Sequence, residues 1–290
     1  MRLIGVSDLH IGRDGWNDFG IRTARAAAAI DADILYFVGD LAEPNNTSPR
    51  LGWERFEQGL EALARSSAPT KLFTLGNNDL EHPFTHRLTE HYTEIQEYLG
   101  AYGFRLLDDS PVIVDGIAFV GNIGWYDGTL WQPYDGQTRY PNDAVQMRAT
   151  AEHHFHKTHQ GRTDQLTTAL FSAHCHDRLT RHLDQIDADV EAIVLGTHFV
   201  PHTSFVTCDD PRYTYLNWYM GSEGHAAHYQ RERVILGLTG HTHRSDTRRI
   251  SRTDVHNLSG PRQPRVFDIQ RIDGNHTVAR ERYEANEPQP

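Results

Sequence analysis

The stretch Leu3-Ile4-Gly5-Val6-Ser7-Asp8-Leu9-His10 joins a short apolar run directly to an Asp-x-His pattern. A brief apolar run that stops at polar residues is typical of a buried β-strand. Residues i and i+2 of an extended segment face the same way, so Asp8 and His10 can point toward one small volume. The start of the chain therefore predicts a strand that ends in a pair of metal-binding side chains.

The same arrangement recurs four more times along the chain. The apolar runs are Ile34–Val38, Lys71–Leu75, Ala192–Leu195 and Val234–Leu238. The polar residues that follow these runs are Asp40, Asn77, His198, His241 and His243. Ligands bind at the carboxyl ends of the strands in an α/β sheet, so we expect these side chains to converge on one edge.

Helical patterns lie between the early strands, near Ile21–Ile30, Trp53–Arg65 and His86–Leu99. This alternation predicts an α/β fold in which helices cover a sheet with parallel strand pairs. Further strands are predicted at Val112–Val114, Ile117–Val120, Val266–Ile269 and His276–Ala279. We expect one domain over residues 1–283, with an aromatic and helical insertion at about residues 122–190 and a disordered tail at residues 284–290.

Composition restricts the classes of function. The chain has 290 residues and a formal net charge of −11, which disfavours binding to extended nucleic acid because phosphate backbones require a basic surface. Its apolar runs are too short for a membrane span or a signal peptide. Only Cys175 and Cys208 are present, which fits a reducing compartment. We therefore expect a cytoplasmic protein without membrane contact, whose oligomeric state stays open.

Each strand-end residue has an ordinary role when it is taken alone. Asp40 and Asn77 are residue types that commonly start helices, and a single His198 would more often be a hydrogen-bonded core histidine. The set is less ordinary, because carboxylate and imidazole groups beside apolar strands cost free energy unless they are paired or bind a metal. We therefore interpret the set as one metal site.

Five ordered blocks resemble the motifs of the calcineurin-like metallophosphoesterase family: D-x-H at residues 8–10, G-D at 39–40, G-N at 76–77, a single His198, and G-H-x-H at 240–243. The resemblance implies a four-layer α/β/β/α sandwich of two mixed sheets flanked by helices, with a dinuclear metal site at the C-terminal edge of the strands. It also implies two ligand sets that share Asp40. One metal is held by Asp8, His10, Asp40 and His243, and the other by Asp40, Asn77, His198 and His241.

The predicted cofactors are two divalent or mixed-valence transition metal ions, Mn, Fe, Zn or Ni, because Asp, Asn and His ligands without thiolate suit such ions. The resemblance implies that a hydroxide held between the metals attacks phosphorus in line. The predicted substrate is a small phosphate ester, diester or anhydride, and a nucleotide-like one is favoured. Two alternatives stay open: a nuclease with the same fold, and a non-catalytic scaffold that binds a protein partner.

The third block departs from the family pattern, since Asn78 stands where relatives commonly have a histidine. Asparagine donates a hydrogen bond but supplies no proton near neutral pH. Three explanations stay open. The substrate's leaving group needs little protonation, or another residue donates the proton, with His82 and His202 as candidates. The third is that the enzyme is a weak catalyst. Asn78 and His202 are the predicted catalytic residues. Relatives that lack the histidine often cleave diesters or diphosphates, which slightly disfavours a plain monoesterase.

Asp79 is predicted to orient a neighbouring residue or to begin a helix.

Two aromatic segments and a histidine tract carry further expectations. The stretch from Trp125 to Tyr140 either caps the site or packs in the core. The segment Cys208–Met220 lies between two ligand blocks, so we expect it to overhang the site and contact the substrate. We expect a solvated helix face, not a metal site, for the tract His153, His154, His156 and His159.

Overall fold

The apolar runs of the sequence form the strands of two six-stranded sheets in the computed structural model. The structure describes residues 1–14, 18–44, 48–81, 92–133, 143–159, 166–206, 214–259, 263–272 and 275–282. Within these ranges, no helix combines the length and the apolar character that a membrane span requires.

The first sheet contains β1 (Arg2–Val6), β2 (Ile34–Val38), β3 (Thr70–Thr74), β4 (Phe104–Leu106), β11 (Arg265–Ile272) and β12 (Asn275–Arg282), numbered in chain order. The strand order is β12-β11-β1-β2-β3-β4. Strands β1 to β4 are parallel, whereas β11 and β12 are antiparallel additions beside β1. The four parallel strands therefore deliver their carboxyl ends to one edge.

The second sheet contains β5 (Val112–Val114), β6 (Ile117–Asn122), β7 (Ala192–Thr197), β8 (Val234–Thr239), β9 (Thr247–Ile250) and β10 (Thr253–Asn257). The strand order is β5-β6-β7-β8-β10-β9. Its four central strands are parallel, and β5 and β9 pair antiparallel at the two edges. This sheet is therefore also mixed, and its four central strands all end at the same edge.

The helices are α1 (Phe19–Ala29), α2 (Pro49–Ala64), α3 (Tyr92–Gly100), α4 (Ala144–Thr158), α5 (Thr168–Asp184) and the short α6 (Ala226–Tyr229). Single turns of 3-10 helix lie at Asp79–Glu81, Thr203–Phe205 and Glu223–His225, and a longer one at Thr214–Tyr219. Side-chain caps define several helix starts. The Asp143 carboxylate accepts the backbone N–H groups of Val145 and Gln146 at the start of α4, which satisfies donors that no helical carbonyl reaches.

Apolar packing arranges these elements in four layers. Between the sheets, Tyr36 and Leu72 of the first pack with Phe119 and Val194 of the second. On the outer face of the first sheet, Phe56 and Leu60 of α2 pack with Phe37 and Phe73, and α1 adds its buried Ala24 and Ala27. On the outer face of the second sheet, Leu179 and Leu183 of α5 pack with Val120 and Leu195. The predicted α/β/β/α sandwich of two mixed sheets is therefore confirmed.

Three strands were absent from the sequence prediction, namely β4, β9 and β10. The region predicted as an insertion begins at the last residue of β6 and contains α4 and α5. Its Trp125 and Tyr126 are buried core residues. Tyr134, Tyr140 and the predicted tail at residues 284–290 lie outside the described residues. The expected solvated face on α4 is confirmed for His153, His154 and His156.

The expectation of a solvated face is wrong for His159. This residue follows the last turn of α4 and is only 3% exposed. It packs edge-on against Trp125 and Phe155, with ring centroids 5.8 and 5.2 Å away. The apolar surface that these two aromatic rings offer draws the histidine inward where the helix ends.

Candidate metal centre

The carboxyl ends of both sheets meet at one edge, where backbone hydrogen bonds tie the strand ends together. The Asp8 N–H donates to the Gly39 carbonyl (2.9 Å), which joins the end of β1 to the end of β2. The Gly240 N–H donates to the His198 carbonyl (2.9 Å), which joins β8 to β7. The ring of His198 links the two sheets, because its Nδ1 donates to the Val38 carbonyl (2.9 Å). The side chains that follow the strands therefore lie together where the carboxyl ends of the two sheets meet.

Five of the seven predicted ligands have a left-handed backbone. They are Asp8 (φ 54°), His10 (φ 42°), Asp40 (φ 62°), His241 (φ 71°) and His243 (φ 54°). Residues other than glycine rarely adopt this conformation, and it persists where the surrounding structure enforces it, often at functional sites. The backbone at the strand ends is therefore shaped to hold these side chains in place.

The first cluster consists of Asp8, His10 and His243, whose ligand atoms lie within 4.8 Å of one another. The Nε2 atoms of His10 and His243 are 2.9 Å apart, and Asp8 Oδ1 lies 3.6 Å from each of them. Metal–ligand bonds of about 2.0–2.2 Å at right angles separate neighbouring donor atoms by about 3 Å. The spacing of this cluster fits one metal ion.

The second cluster consists of Asp40, His198 and His241, again with ligand atoms within 4.8 Å of one another. His198 Nε2 lies 3.4 Å from Asp40 Oδ2 and 3.3 Å from Asn77 Oδ1. Asn77 thereby adds an amide oxygen to the group. One carboxylate, one amide oxygen and two imidazoles form a donor set that suits a borderline transition-metal ion.

Asp40 is shared by the two clusters. Its Oδ2 lies 3.7 Å from His10 Nε2 on one side and 3.4 Å from His198 Nε2 on the other. Its Oδ1 accepts the backbone N–H of Asn78 (2.8 Å), which fixes the plane of the carboxylate. One buried carboxylate therefore faces both clusters, as a bridging ligand would.

The protonated nitrogen of each buried histidine is fixed by its partner on the far side of the ring. His10 Nδ1 donates to Glu43 Oε1 (2.8 Å), which turns Nε2 toward Asp8. His198 Nδ1 donates to a backbone carbonyl, as described above. His241 Nε2 donates to the Tyr219 carbonyl (3.0 Å), which leaves Nδ1 to face the second cluster. Such partners select the tautomer and the ring orientation that a metal ion requires.

Asp79 holds the backbone beneath the bridging residue. Its carboxylate accepts the backbone N–H groups of Asp40 (2.9 Å), Leu41 (3.0 Å) and Gly76 (2.8 Å). Gly76 is required by close approach, since a Cβ atom there would lie 2.3 Å from both the nitrogen and Oδ1 of Asp40. The expected orienting role of Asp79 therefore acts on the ends of β2 and β3, and Asp79 also begins a turn of 3-10 helix.

The ionisable groups of the centre shift one another's pKa values. Burial opposes the charged forms, but Asp8 and Glu43 raise the pKa of His10 to about 10 by hydrogen bonding. Burial also lowers the pKa of His198, but the charge and the hydrogen bond of the Asp40 carboxylate outweigh this effect and raise the pKa to about 9. His198 in turn outweighs burial at Asp40 and lowers the pKa of that carboxyl. Burial lowers the pKa of His241 to about 3, helped by the charge of His198.

Asn78 lies inside the candidate metal centre, where its side chain contacts two of the predicted metal ligands. Its Oδ1 accepts from Asn77 Nδ2 (2.7 Å), and its Nδ2 lies 3.2 Å from His10 Nδ1. The first bond turns the Asn77 oxygen toward His198, and the second contact packs the amide against the His10 ring. The Asn78 amide therefore orients the side chains of its neighbours.

The other predicted catalytic residue stands apart from the two clusters. His202 is half-buried in the segment that follows β7, its Nδ1 accepts the Ser204 N–H (3.0 Å), and its Nε2 lies 3.9 Å from Glu223 Oε1. No contact between His202 and the clustered ligands occurs among the described residues. His82, the alternative acid, falls outside those residues.

Two charged residues at the centre escaped the sequence interpretation. Glu43 binds His10, and Arg13 lies with its Nη1 3.4 Å from both ring nitrogens of His243 and its Nε 3.7 Å from Glu43 Oε1. Their only signal in the sequence is position, since Glu43 follows Asp40 by three residues and Arg13 follows His10 by three. Residue type alone does not distinguish them from surface charges.

The two aromatic segments meet beside the centre. Trp131 contacts Trp218, with ring centroids 5.6 Å apart, and Tyr126 contacts Tyr219 at 5.3 Å. The Tyr219 carbonyl accepts the hydrogen bond of His241 Nε2. This part of the predicted overhanging segment therefore adjoins the site. The portion from Cys208 to Tyr213 lies outside the described residues.

Comparisons with known proteins agree with this architecture. The two-sheet fold is similar to the crystal structure of a phosphopantetheinyl hydrolase from Mycobacterium tuberculosis, with a TM-score of 0.59, 19% identity and 89% of each chain covered. It is also similar to a dimetal phosphatase from Danio rerio, with a TM-score of 0.53, 12% identity and 92% of each chain covered. At these identities the likeness concerns the fold alone. A search of curated protein sequences found no match.

The family profile described as calcineurin-like phosphoesterase matches residues 1–245, which include every strand-end block from Asp8 to His243. The match covers most of the chain and agrees with the two Asp and His clusters at the carboxyl edge of the sheets. The chain therefore belongs to the calcineurin-like phosphoesterase family, whose members are generally metal-dependent phosphoesterases.

Proposed function

We propose that this protein is a phosphohydrolase with a dinuclear metal centre. One metal would be held by Asp8, His10, Asp40 and His243, and the second by Asp40, Asn77, His198 and His241. The observation that carries the proposal is the position of Asp40 Oδ2, which lies 3.7 Å from His10 Nε2 and 3.4 Å from His198 Nε2. A carboxylate oxygen so placed is suited to bridge two ions.

The donor set suits Mn, Fe, Zn or Ni, because it combines carboxylate, amide and imidazole groups without thiolate. A metal pair, when bound, supplies Lewis acidity that activates water for in-line attack and neutralises charge on the phosphoryl group. The chain's own contribution is to hold the ligands at fixed spacing, through the left-handed strand ends and the tautomer-fixing partners. In this proposal residues 1–283 act as one domain.

Arg13 is placed to assist substrate binding. Its guanidinium lies beside the ring of His243, at the partly exposed side of the first cluster, and its side chain is 36% exposed. A permanent cation next to the centre favours an anionic phosphoryl group and stabilises the charge that develops on it. We infer that Arg13 contacts a non-bridging phosphoryl oxygen of the substrate.

Asn78 narrows the class of reaction. Because its amide donates no proton at neutral pH, it cannot assist a poor leaving group such as an alkoxide. We infer a substrate whose leaving group departs with little protonation, such as an anhydride or an aryl mono- or diester. His202 is the candidate acid on the chain if protonation is needed.

A small substrate is favoured over an extended nucleic acid. The net charge of −11 opposes association with a phosphate backbone along its length. The similar folds include a phosphopantetheinyl hydrolase and a dimetal phosphatase, and a hydrolase of a small phosphorylated compound agrees with both names. A nucleotide-like substrate fits the aromatic residues around Tyr219, since flat groups stack on aromatic rings.

The test compares metal-stripped protein with the same protein after addition of Mn²⁺, on an aryl phosphate and an aryl phosphodiester. We expect no hydrolysis without metal and hydrolysis with it. Asp40→Ala should lose the activity, whereas Asp189→Ala, which removes an exposed carboxylate, should keep it. Equal rates for Asp40→Ala and the parent would refute the dinuclear mechanism.

The substrate class is tested by a screen of monoesters, diesters, cyclic nucleotides and dinucleoside polyphosphates. The screen is run on the parent and on Asn78→His side by side. A gain in monoester hydrolysis by the variant would show that Asn78 sets the choice of leaving group. An unchanged profile would remove Asn78 from that role while leaving the metal centre intact.

A further inference from the structure

A separate group of three histidines lies on the outer side of the second sheet. His176 belongs to α5, His225 ends the 3-10 turn Glu223–His225, and His228 lies in α6. One ring nitrogen from each lies within 4.8 Å of the others. None of these residues belongs to the two clusters of the candidate metal centre.

His225 is the most unusual member of this group. Its side chain is 0% exposed, and both of its ring nitrogens are buried without a hydrogen-bond partner among the described residues. A buried polar nitrogen that lacks a partner costs free energy, so native structures almost always satisfy it with protein, water or an ion. The orphaned ring points to a missing partner.

We propose that His176, His225 and His228 form a mononuclear site for a transition-metal ion of the zinc class, with a water molecule as the fourth ligand. Neutral imidazole is the commonest ligand of such ions, and three histidines leave one position of a tetrahedral site for water. His176 is the half-buried member of the three, so the water would lie on its solvent-facing side.

The local geometry supports convergence on one ion. His225 and His228 are three residues apart on a helical turn, so their side chains share a face. His228 Nε2 and His176 Nδ1 are 3.1 Å apart, and the centroids of those rings are 4.5 Å apart. Two of the three rings are therefore already adjacent.

The third ring must move inward to complete the site. Tetrahedral bonds of about 2.0–2.1 Å place donor nitrogens roughly 3.3 Å apart, a spacing that the pair His176 and His228 already has. The centroid of the His225 ring lies 5.8 Å from His176 and 6.2 Å from His228. A rotation of the His225 side chain that carries its ring about an ångström toward the pair closes the arrangement.

The surroundings keep these rings in the metal-binding form. Burial, with smaller contributions from neighbouring histidines, lowers the pKa of His225 and of His228 to about 3. Arg231, a cation that acts on His228, is paired with Asp184 at 2.6 Å, so its charge is balanced before an ion arrives. Neutral imidazoles bind metal without first losing a proton.

An ion at this position would fasten two parts of the chain together. It would tie α5 to the segment that runs from the turn at Glu223 through α6, next to Tyr229, whose hydroxyl pairs with Thr197 Oγ1 at 2.7 Å on β7. The same segment continues back to Gly221, which bridges to Val200 just after β7. We therefore expect the ion to act as a structural clamp on the outer layer.

The experiment measures bound metal in protein that carries no polyhistidine tag. Metal-stripped parent, His176→Gln and His153→Gln are each dialysed against Zn²⁺ and then analysed for zinc per chain. His153 is an exposed histidine on α4 and serves as the matched control. We expect His176→Gln to bind one equivalent fewer than the parent, and His153→Gln to bind the same amount as the parent.

A spectroscopic readout separates this ion from the dinuclear centre. Co²⁺ in a tetrahedral site absorbs visible light far more strongly than Co²⁺ in octahedral sites. The parent loaded with Co²⁺ should show the strong bands, His176→Gln should lose them, and His176→Cys should restore them because thiolate is also a ligand of such ions. The restored bands would also show that the chain folds when His176 is replaced.

Two results would overturn the proposal. One is an equal zinc content and an equal Co²⁺ spectrum in His176→Gln and the parent. The other is a similar loss in His153→Gln, which would mean that surface histidines account for the third equivalent. Either outcome leaves the dinuclear centre untouched, because the two centres share no residue.

Discussion

The Nε2 atoms of His10 and His243 lie 2.9 Å apart, although 233 positions of sequence separate the two residues. Asp8 Oδ1 lies 3.6 Å from both atoms. Two imidazole nitrogens this close, facing a carboxylate, share either a proton or a metal ion. The fold therefore brings buried polar groups from distant parts of the chain to one point, and a cation at that point satisfies them together.

The hydrogen bond from His10 to Glu43 should govern metal affinity. Loss of such a partner releases the ring and lowers its basicity, which typically weakens metal binding or activity by about 10–100-fold. We expect Glu43→Ala to need that much more Mn²⁺ for half-maximal hydrolysis, and Glu43→Gln to be milder because it keeps an oxygen acceptor. Glu54→Ala is the control, since Glu54 pairs with Arg50 on an exposed face of α2.

Metal titration of the hydrolysis rate measures this effect. A Glu43→Ala protein with the parent's Mn²⁺ dependence would show that the His10 orientation does not depend on Glu43.

Gly76 should tolerate no side chain. A Cβ atom would lie 2.3 Å from Asp40 and would push the bridging carboxylate out of place. We expect Gly76→Ala to lose metal binding and to lower the free energy of unfolding by about 1–3 kcal/mol, as overpacking does. Calorimetric Mn²⁺ titration and urea unfolding measure the two effects.

The matched control for Gly76 is Gly100→Ala in α3. A Cβ atom there meets only Gln96 Nε2 at 3.4 Å, so we expect little change in stability or metal binding. Equal behaviour of the two alanine variants would contradict the close packing at Asp40.

Metal binding should release protons at neutral pH. Without metal, the pKa values of about 10 for His10 and about 9 for His198 mean that both rings are protonated at pH 7. A metal ion must displace those protons, so its apparent affinity should fall as pH falls and rise as pH approaches 9.

Calorimetric titrations of Mn²⁺ at pH 7 in two buffers of different ionisation enthalpy detect the released protons. We expect the observed heats to differ between the buffers. Identical heats would mean that the rings are already neutral in the metal-free protein.

The strongest strand signals were sufficient to predict much of the fold. Strand β2 was predicted to the residue, because five apolar side chains in a row between Asp33 and Gly39 favour a strand buried on both faces. Strand β9, Thr247–Ile250, was missed because its middle residues are exposed arginines at a sheet edge. Strand β4 was missed because it has only three residues, with an exposed arginine at its centre.

The ligand positions were readable, whereas their supporting groups were not. Asp40 and His198 each follow an apolar run, so the sequence places both at the carboxyl ends of strands. The two ends meet because the two sheets pack against each other. The Tyr219 carbonyl that receives His241 is a backbone group, which no residue type indicates. The histidine trio was also hidden, since His176 is separated from His225 by several elements and only the packing of α5 beside α6 brings them together.

The position of Asp40 between two ions is tested most directly by crystals soaked in Mn²⁺ and measured at the manganese absorption edge. The anomalous difference map should contain two peaks about 3.5–4 Å apart on either side of Asp40 Oδ2. One peak should contact His10 and His243, and the other His198 and His241. A single peak, or none beside Asp40, would contradict the dinuclear centre.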